Sequence, residues 1–171
     1  MADSNDTFLM DEYLKLQDQY EDYDRRALHI KGWIGAAAIT GFALGIDSNK
    51  NIDNRTLLII GAIAICFWYL EASWKTFQYA ISDRIRVLEA HFRQDKDILI
   101  KDPKPFQIYS WWFKAYFSDE PIYPYEFESR PSSLAKRFFD AALLPFVHLP
   151  YSLILAICVL TFIWQVTHYP N

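Results

Sequence analysis

The histidines and cysteines that could bind a metal are few and widely separated in this chain. Its four histidines stand at positions 29, 91, 148 and 168, and its two cysteines are Cys66 and Cys158. Structural zinc sites usually draw on cysteines or histidines that lie two to five residues apart, and no pair of these residues has that spacing. Each cysteine also lies in an apolar run, where a thiol behaves as a small hydrophobic side chain. The sequence therefore predicts no metal site and no cofactor.

Combinations of residues that could carry out catalysis are equally weak. Asp140 and His148 are near enough in sequence to act on a lipid as acid and base, but a histidine close to a membrane interface is ordinarily solvated. Ser132 and Ser133 lack the glycines that surround the serine of a nucleophile elbow. We therefore expect that the protein is not an enzyme and has no catalytic residues.

The charged pair with the clearest meaning is Lys31 with Glu71. Each borders an apolar segment, and a polar loop near residue 51 lies midway between them. If the two segments fold back on each other about this loop, Lys31 and Glu71 become neighbours. An unpaired glutamate at that depth of a membrane would be costly. Two interpretations follow, an ion pair that holds the segments together, which is favoured, and a wet ion pathway between protomers.

Three apolar segments surround that pair in sequence, at about residues 32–46, 57–70 and 150–166. As a helix the first covers only about 22 Å of a bilayer core of about 30 Å, but tryptophans at its border are typical of a membrane interface. The predicted fold class is an all-α membrane protein with a long antiparallel helical hairpin over residues 9–93. Within residues 132–171 we expect an interfacial helix and a third, carboxyl-terminal transmembrane span.

Polar helical arms at residues 9–31 and 71–93 are predicted to extend the hairpin into the cytoplasm, after a flexible amino terminus at residues 1–8. Apolar side chains in the first arm recur at alternating steps of four and three, which is typical of a helical seam. This cytoplasmic seam includes Tyr13, Leu16, Tyr20 and Tyr23. A contact with the second arm of the same chain is favoured over a coiled coil with another chain.

Small residues mark one face of the first span. Gly35, Ala38 and Gly41 follow one another at steps of three within this segment. Small side chains let another helix approach closely, as is common where helices pack in lipid. The sequence therefore predicts a helix-packing face here.

Residues 94–131 are rich in proline and aromatic side chains, unlike a charged disordered linker. The densest part is an aromatic patch of Tyr109, Trp111, Trp112 and Tyr116. Three roles stay open for it: a helix lying at the bilayer surface, a small soluble core against the hairpin, or a surface that binds a cytosolic protein or stacks on a small signalling ligand. Ligand binding is less favoured, because no glycine-rich phosphate loop accompanies the patch.

Basic residues indicate the orientation of the chain. Four of them precede the first span, two lie in the loop after it, eleven lie between the second and third spans, and none follows the third. Because such residues favour the cytoplasmic side, we expect a cytoplasmic amino terminus and a carboxyl terminus on the outer face. The net charge is −4 and no basic stripe is present, so nucleic acid is not an expected partner.

Two sequence segments lie on either side of the polar loop. The first, which leads into the first span, is YEDYDRRALHIKGW, and the other, which leads out of the second span, is FWYLEASWKTFQYAISDRIRVLEAHF. Over residues 13–93 this plan resembles small two- or three-span membrane effectors of bacterial anti-phage defence, of the SLATT type or associated with retrons. The resemblance implies a protein of the bacterial inner membrane that forms homo-oligomers and compromises the bilayer when infection is sensed. The third span departs from that plan.

The predicted function is therefore a non-enzymatic defence effector that oligomerises in the lipid bilayer and permeabilises it when triggered. The alternative, from another class of protein, is a membrane-anchored scaffold or sensor subunit that recruits a cytosolic partner complex.

Overall fold

The computed structural model describes residues 4–45, 52–97, 99–117 and 133–168. These residues form helices and their connections without any strand, so the predicted all-α class is confirmed. The five helices are α1 (Ser4–Leu44), α2 (Asn54–Arg93), α3 (Ile108–Phe117), α4 (Leu134–Ala142) and α5 (Pro145–His168). Ser132, much of the predicted polar loop and the second half of the aromatic segment lie outside the described residues.

The chain forms two compact units. The polar unit consists of Met1–Arg25 and Ser73–Ala141, and the apolar unit consists of Arg26–Ala72 and Ala142–Asn171. Both α1 and α2 contribute residues to both units. Each unit has a hydrophobic core of its own.

The apolar unit packs parts of α1, α2 and α5 around one core. Lys31 contacts Glu71, and a side chain on Gly41 would meet Ile60. Residues later in α1 therefore contact residues earlier in α2. The two helices are therefore antiparallel within this unit. The core is made of small and branched side chains, one tyrosine and one thiol: Ile34, Ala38, Leu57, Ile60, Ala64, Tyr151, Ile154 and Cys158.

Three of the helices, α1, α2 and α5, are long and apolar enough to cross a membrane. Within the apolar window of each, only 17%, 28% and 22% of the residues are buried inside the protein. The remaining apolar surface is far larger than the patches that water-soluble monomers usually expose. The three helices therefore fit a multi-pass membrane protein.

Two helix boundaries differ from those that the sequence predicts. Helix α1 begins at Ser4, so residues 4–8 are helical where a flexible terminus is predicted. Helix α5 begins at Pro145 and continues through Pro150, whereas the third apolar segment is predicted to begin at about residue 150. Pro145 suits the first position of a helix, where no backbone N–H is needed. Pro150 removes one backbone hydrogen bond in the second turn without ending the helix.

In the polar unit α2 is buried on more than one side. Its residues Ile81, Ile85 and Leu88 pack against Leu9 and Leu16 of α1 in one cluster. A second cluster joins another face of α2 to Trp111 of α3. In the same unit α2 also carries four buried polar side chains, namely Thr76, Gln78, Asp83 and Arg84. Such groups need partners inside the protein, since water cannot reach them freely.

Candidate functional site

A network of three side chains is centred on the carboxylate of Glu71 in the apolar unit. Lys31 Nζ lies 2.8 Å from Glu71 Oε1, and the Tyr151 hydroxyl donates a hydrogen bond of 2.6 Å to Glu71 Oε2. Only 3% of the Glu71 side chain is exposed, and Tyr151 is fully buried. The network therefore joins one residue from each of α1, α2 and α5.

We call this network of Lys31, Glu71 and Tyr151 the latch, because its contacts join three helices. The ammonium of Lys31 neutralises the charge of Glu71, while the tyrosine hydroxyl occupies the second carboxylate oxygen. Hydrogen bonds to an ionised group are shorter and stronger than neutral ones, which agrees with both distances. Removing Lys31 would leave the buried carboxylate of Glu71 without its counterion, and removing Tyr151 would take away a hydrogen bond to it, so the network can hold three helices together.

Two further hydrogen bonds fix the ends of α5 within the apolar unit. Trp68 Nε1 donates to the backbone oxygen of Ala142 at 2.9 Å, just before α5 begins. Near the other end, Gln165 Nε2 donates to the backbone oxygen of Ile52 at 2.7 Å. His148 makes a local contact, with Nδ1 3.0 Å from the backbone oxygen of Leu144.

The three small residues of the predicted packing face have different surroundings. Ala38 belongs to the core of the apolar unit. A Cβ atom on Gly41 would lie 2.9 Å from Ile60 Cδ1, so this glycine permits the close approach of α1 and α2. A Cβ atom on Gly35 would meet nothing within 4 Å. Two of the three residues therefore serve packing within the chain.

This difference predicts the effect of enlarging each glycine. Gly41→Val would press on Ile60 and should destabilise the apolar unit by about 1–3 kcal/mol, the usual cost of overpacking. Gly35→Val places the same β-branched residue in the same helix but in open space, so it controls for helix propensity. Thermal unfolding of both variants in detergent tests this, and equal melting temperatures would contradict the assigned packing.

The seam residues lie at the contact between α1 and α2 in the polar unit. Leu16 is fully buried in the shared cluster, and Tyr13, Tyr20 and Tyr23 pack partly buried against it. The Tyr13 hydroxyl donates to Glu89 Oε1 at 3.3 Å. Burial, together with the negative charge of Asp24, raises the pKa of Tyr20. That phenol therefore stays a neutral part of the contact at physiological pH.

The polar unit contains a buried ion pair that no sequence pattern predicts. Arg84 Nε donates to Glu12 Oε1 at 2.7 Å, and Arg84 Nη2 donates to the backbone oxygen of Lys104 at 2.7 Å. The other carboxylate oxygen of Glu12 accepts a hydrogen bond of 2.9 Å from the backbone N–H of Phe106. Phe106 has a φ of 64°, which is uncommon for an aromatic residue. These contacts hold the connecting segment before α3 against both α1 and α2.

The aromatic patch is mostly occupied by contacts within the polar unit. Trp111 is buried, with its ring 5.5 Å from the guanidinium carbon of Arg84. Trp112 and Tyr116 stack on each other and on Phe77, so their faces are largely taken. Tyr109, by contrast, is 72% exposed. It is one of four exposed rings on and just before α3, which we call the aromatic ridge: Phe106, Tyr109, Phe113 and Phe117.

Three of the buried residues in these contacts, Tyr151, Glu12 and Arg84, have only faint signals in the sequence. Tyr151 shares a helical face with Ile154 and Cys158, and a tyrosine on such a face places its hydroxyl beside the neighbouring helices. Glu12 precedes Tyr13 in the seam, and Arg84 precedes Ile85. A charge beside a seam is usually solvated, so neither residue stands out.

Within the part of the chain that the structure describes, no three histidine, cysteine, aspartate or glutamate side chains are grouped as metal ligands would be. No protein-family model, no curated protein and no solved structure matches this chain.

Proposed function

We propose that the protein is a non-enzymatic membrane effector of bacterial anti-phage defence, which oligomerises in the inner membrane and permeabilises it when triggered. The observation that carries this proposal is the network of Lys31, Glu71 and Tyr151. A buried carboxylate among three apolar helices is expensive in lipid, and such residues usually mark a functional site. The resemblance over residues 13–93 supports the same class of protein.

The proposed orientation places the polar unit in the cytoplasm. Most of the basic residues lie before the first span or between the second and third, and basic residues favour the cytoplasmic side of a membrane. The amino terminus is then cytoplasmic, and the carboxyl terminus after α5 is periplasmic. In this arrangement the polar unit is available to a cytosolic protein or to a small signalling ligand, while the apolar unit has the bilayer as its partner.

The proposed mechanism is a release of the latch. At rest Lys31 and Tyr151 occupy both oxygens of Glu71 and hold α1, α2 and α5 together. On triggering, the three helices rearrange with neighbouring copies and the charged groups turn towards a water-filled path. Water then replaces the lost contacts of the carboxylate, so the open state avoids the cost of a bare charge in lipid.

A membrane-potential dye in bacteria that express the protein tests this proposal. With the unchanged chain we expect a polarised membrane at rest and depolarisation during phage infection. Glu71→Ala removes the centre of the latch, so we expect it to depolarise cells without infection. Leu160→Ala changes an exposed residue of α5 and should behave as the unchanged chain. Immunoblots of the membrane fraction ensure that all three proteins are present in equal amounts.

A permeabilising role would be overturned if neither the unchanged chain nor Glu71→Ala depolarised the membrane. If infected cells stay polarised with the unchanged chain, and cells with Glu71→Ala stay polarised as well, the protein does not open the membrane. If Leu160→Ala depolarises resting cells as much as Glu71→Ala does, the leak does not depend on the contacts of Glu71.

The second candidate function is a membrane-anchored scaffold or sensor that recruits a cytosolic partner. The aromatic ridge favours it, because Phe106 and Tyr109 are 80% and 72% exposed and aromatic side chains are enriched in protein interfaces. A scaffold predicts that infected cells stay polarised until the partner acts, with no effect of Glu71→Ala at rest. The same dye measurement therefore separates the two functions.

A further inference from the structure

The exposed surface of the polar unit is divided between helical segments of opposite charge. From Ser73 to Ala90, helix α2 has no exposed residue, so another molecule meets the helices around it instead. The first 25 residues of the chain carry eight acidic and two basic side chains. Residues 99–117, which include α3, carry three lysines and one aspartate. A partner with a single sign of charge would be attracted to one of these surfaces and repelled by the other.

On the basic side, the aromatic ridge is accompanied by lysines. Tyr109, Phe113 and Phe117 follow one another at steps of four on α3, with ring centroids 6.3 Å and 5.1 Å apart. Lys114 is exposed next to Phe113, and Lys104 is exposed shortly before α3 begins. An apolar stripe with positive charges beside it is complementary to a helix whose exposed face combines apolar side chains with carboxylates.

The outer face of α1 in the polar unit has these properties. Opposite the buried Leu9 and Leu16, five exposed residues lie within about 100° around the helix, and we call them the acidic face: Met10, Asp11, Leu14, Asp18 and Glu21. Leu14 is 54% exposed although its side chain is aliphatic. Lys15 is exposed as well, but it lies further round the helix. The acidic face therefore combines two apolar side chains with three carboxylates.

Helix α3 runs in the same direction as α1 within the polar unit. Just before α3, the backbone N–H of Phe106 donates to Glu12. Near the end of α3, the ring of Tyr116 stacks on Phe77 with centroids 4.5 Å apart. The side chain that follows Phe77 in α2 donates a hydrogen bond to the backbone oxygen of Tyr20. Earlier residues of α3 are therefore level with earlier residues of α1.

The charges on the two surfaces have matching spacings as a result. Lys104 is level with Asp11. Lys114 is level with Asp18 and Glu21. Copies that insert in the same orientation and stand side by side therefore bring each lysine to the level of a carboxylate. Equal depth holds for every face of α1, but only the acidic face presents exposed carboxylates at both levels.

We infer that the aromatic ridge binds the acidic face of α1 from a second copy of this chain. An anionic lipid surface would suit the lysines but would be repelled by the carboxylates, whereas a second copy supplies a complement for both. Each copy uses its ridge for one neighbour and its acidic face for another. Such a head-to-tail contact closes into a ring when the rotation between copies permits it. This inference rests on the proposed function for insertion and oligomerisation, and it identifies the surfaces that join the copies before triggering.

Disulfide cross-linking between two copies of different size, in membranes isolated from uninfected cells, tests the inference. Both copies carry Cys66→Ala and Cys158→Ala, and one then carries Leu14→Cys while the other carries Tyr109→Cys. Oxidation should give a mixed dimer and no dimer of two identical copies, because the contact joins different surfaces. As a matched control, Gln19→Cys replaces Leu14→Cys. Gln19 is exposed but lies about 140° further round the same helix, so it should give little mixed dimer.

Exchanging charges between the two copies gives an independent measurement. Lys114→Glu in the Tyr109→Cys copy, or Asp18→Lys in the Leu14→Cys copy, should each lower the yield of mixed dimer about threefold or more. Both changes together should restore the yield, because opposite charges then meet again. Lys114 and Asp18 are exposed, so the amount of each variant in the membrane should stay unchanged.

A dimer of two Leu14→Cys copies would show a symmetric contact and overturn the head-to-tail arrangement. An equal yield from Gln19→Cys, or a yield that ignores the exchange of charges, would show that the acidic face does not bind the ridge. If both copies are present in the membrane and no mixed dimer forms, the inference is overturned in favour of a cytosolic protein or a lipid surface at the ridge. Cross-linking is read without any depolarisation, so failure of the inference and failure of the proposed function are separate results.

Discussion

Replacing Glu12 with leucine is expected to destabilise the polar unit by about 3–5 kcal/mol, which is typical when one partner of a buried ion pair is removed. Arg84 is only 1% exposed, and in Glu12→Leu its charge would face the Lys104 carbonyl and the Trp111 ring without a counterion. The backbone N–H of Phe106 would lose its acceptor as well. Hydrogen exchange of the α3 amides measures this loss locally.

Two variants complete this measurement. Asp11→Leu changes the neighbouring, exposed acidic residue of α1 and should alter the exchange of α3 little. Glu12→Leu combined with Arg84→Met removes both charges and should recover most of the stability, since paired apolar replacements of buried ions are often tolerated. Arg84 Nη1 is buried without a hydrogen-bond partner among the described residues, which further lowers the cost of losing the guanidinium. If the double variant is as unstable as Glu12→Leu alone, the buried charge is not the cause.

The second large effect is expected at the latch of the apolar unit. Lys31→Met leaves Glu71 buried with the Tyr151 hydroxyl as its remaining partner in the network, and should lower the stability in detergent by about 3–5 kcal/mol. Tyr151→Phe removes a single hydrogen bond to a charged group and should cost about 1.5–3 kcal/mol. Lys31→Met combined with Glu71→Met should lie closer to the unchanged protein than Lys31→Met does.

Thermal unfolding in one detergent compares these variants. Lys15→Met, which removes an exposed lysine from the same helix, controls for the general effect of lost charge. The ranking expected for the melting temperature is Lys15→Met above Tyr151→Phe, with Lys31→Met lowest. If Lys31→Met and Lys15→Met melt together, the ion pair does not contribute to the stability of the apolar unit.

The contact of Lys31 with Glu71 shows what the sequence can predict. Two apolar segments that flank one polar loop must fold back on each other, and residues equally distant from the loop become neighbours. The all-helical class and the three apolar helices follow from the same segments. These features depend on local periodicity and on chain symmetry about a turn, both of which can be read along the sequence.

The sequence does not reveal contacts that depend on which side of a helix packs inward or on the route of a connecting segment. Helix α5 is apolar all round, so periodicity cannot tell that the side bearing Tyr151 meets Glu71. Glu12 and Arg84 become buried because the backbone before α3 covers them, through Lys104 and Phe106. No helical repeat encodes the route of that segment, in which Phe106 has a φ of 64° and its N–H donates to Glu12, distant in sequence.

The polar unit is made from two stretches of chain, with Arg26–Ala72 between them. Synthesis proceeds from the amino terminus, so the first stretch leaves the ribosome well before the second. Leu9 and Leu16 therefore have to wait for Ile81 and Leu88, which are made only after the first two apolar helical segments. Translation therefore makes the α1 and α2 parts of the apolar unit available for pairing before the polar unit can be completed.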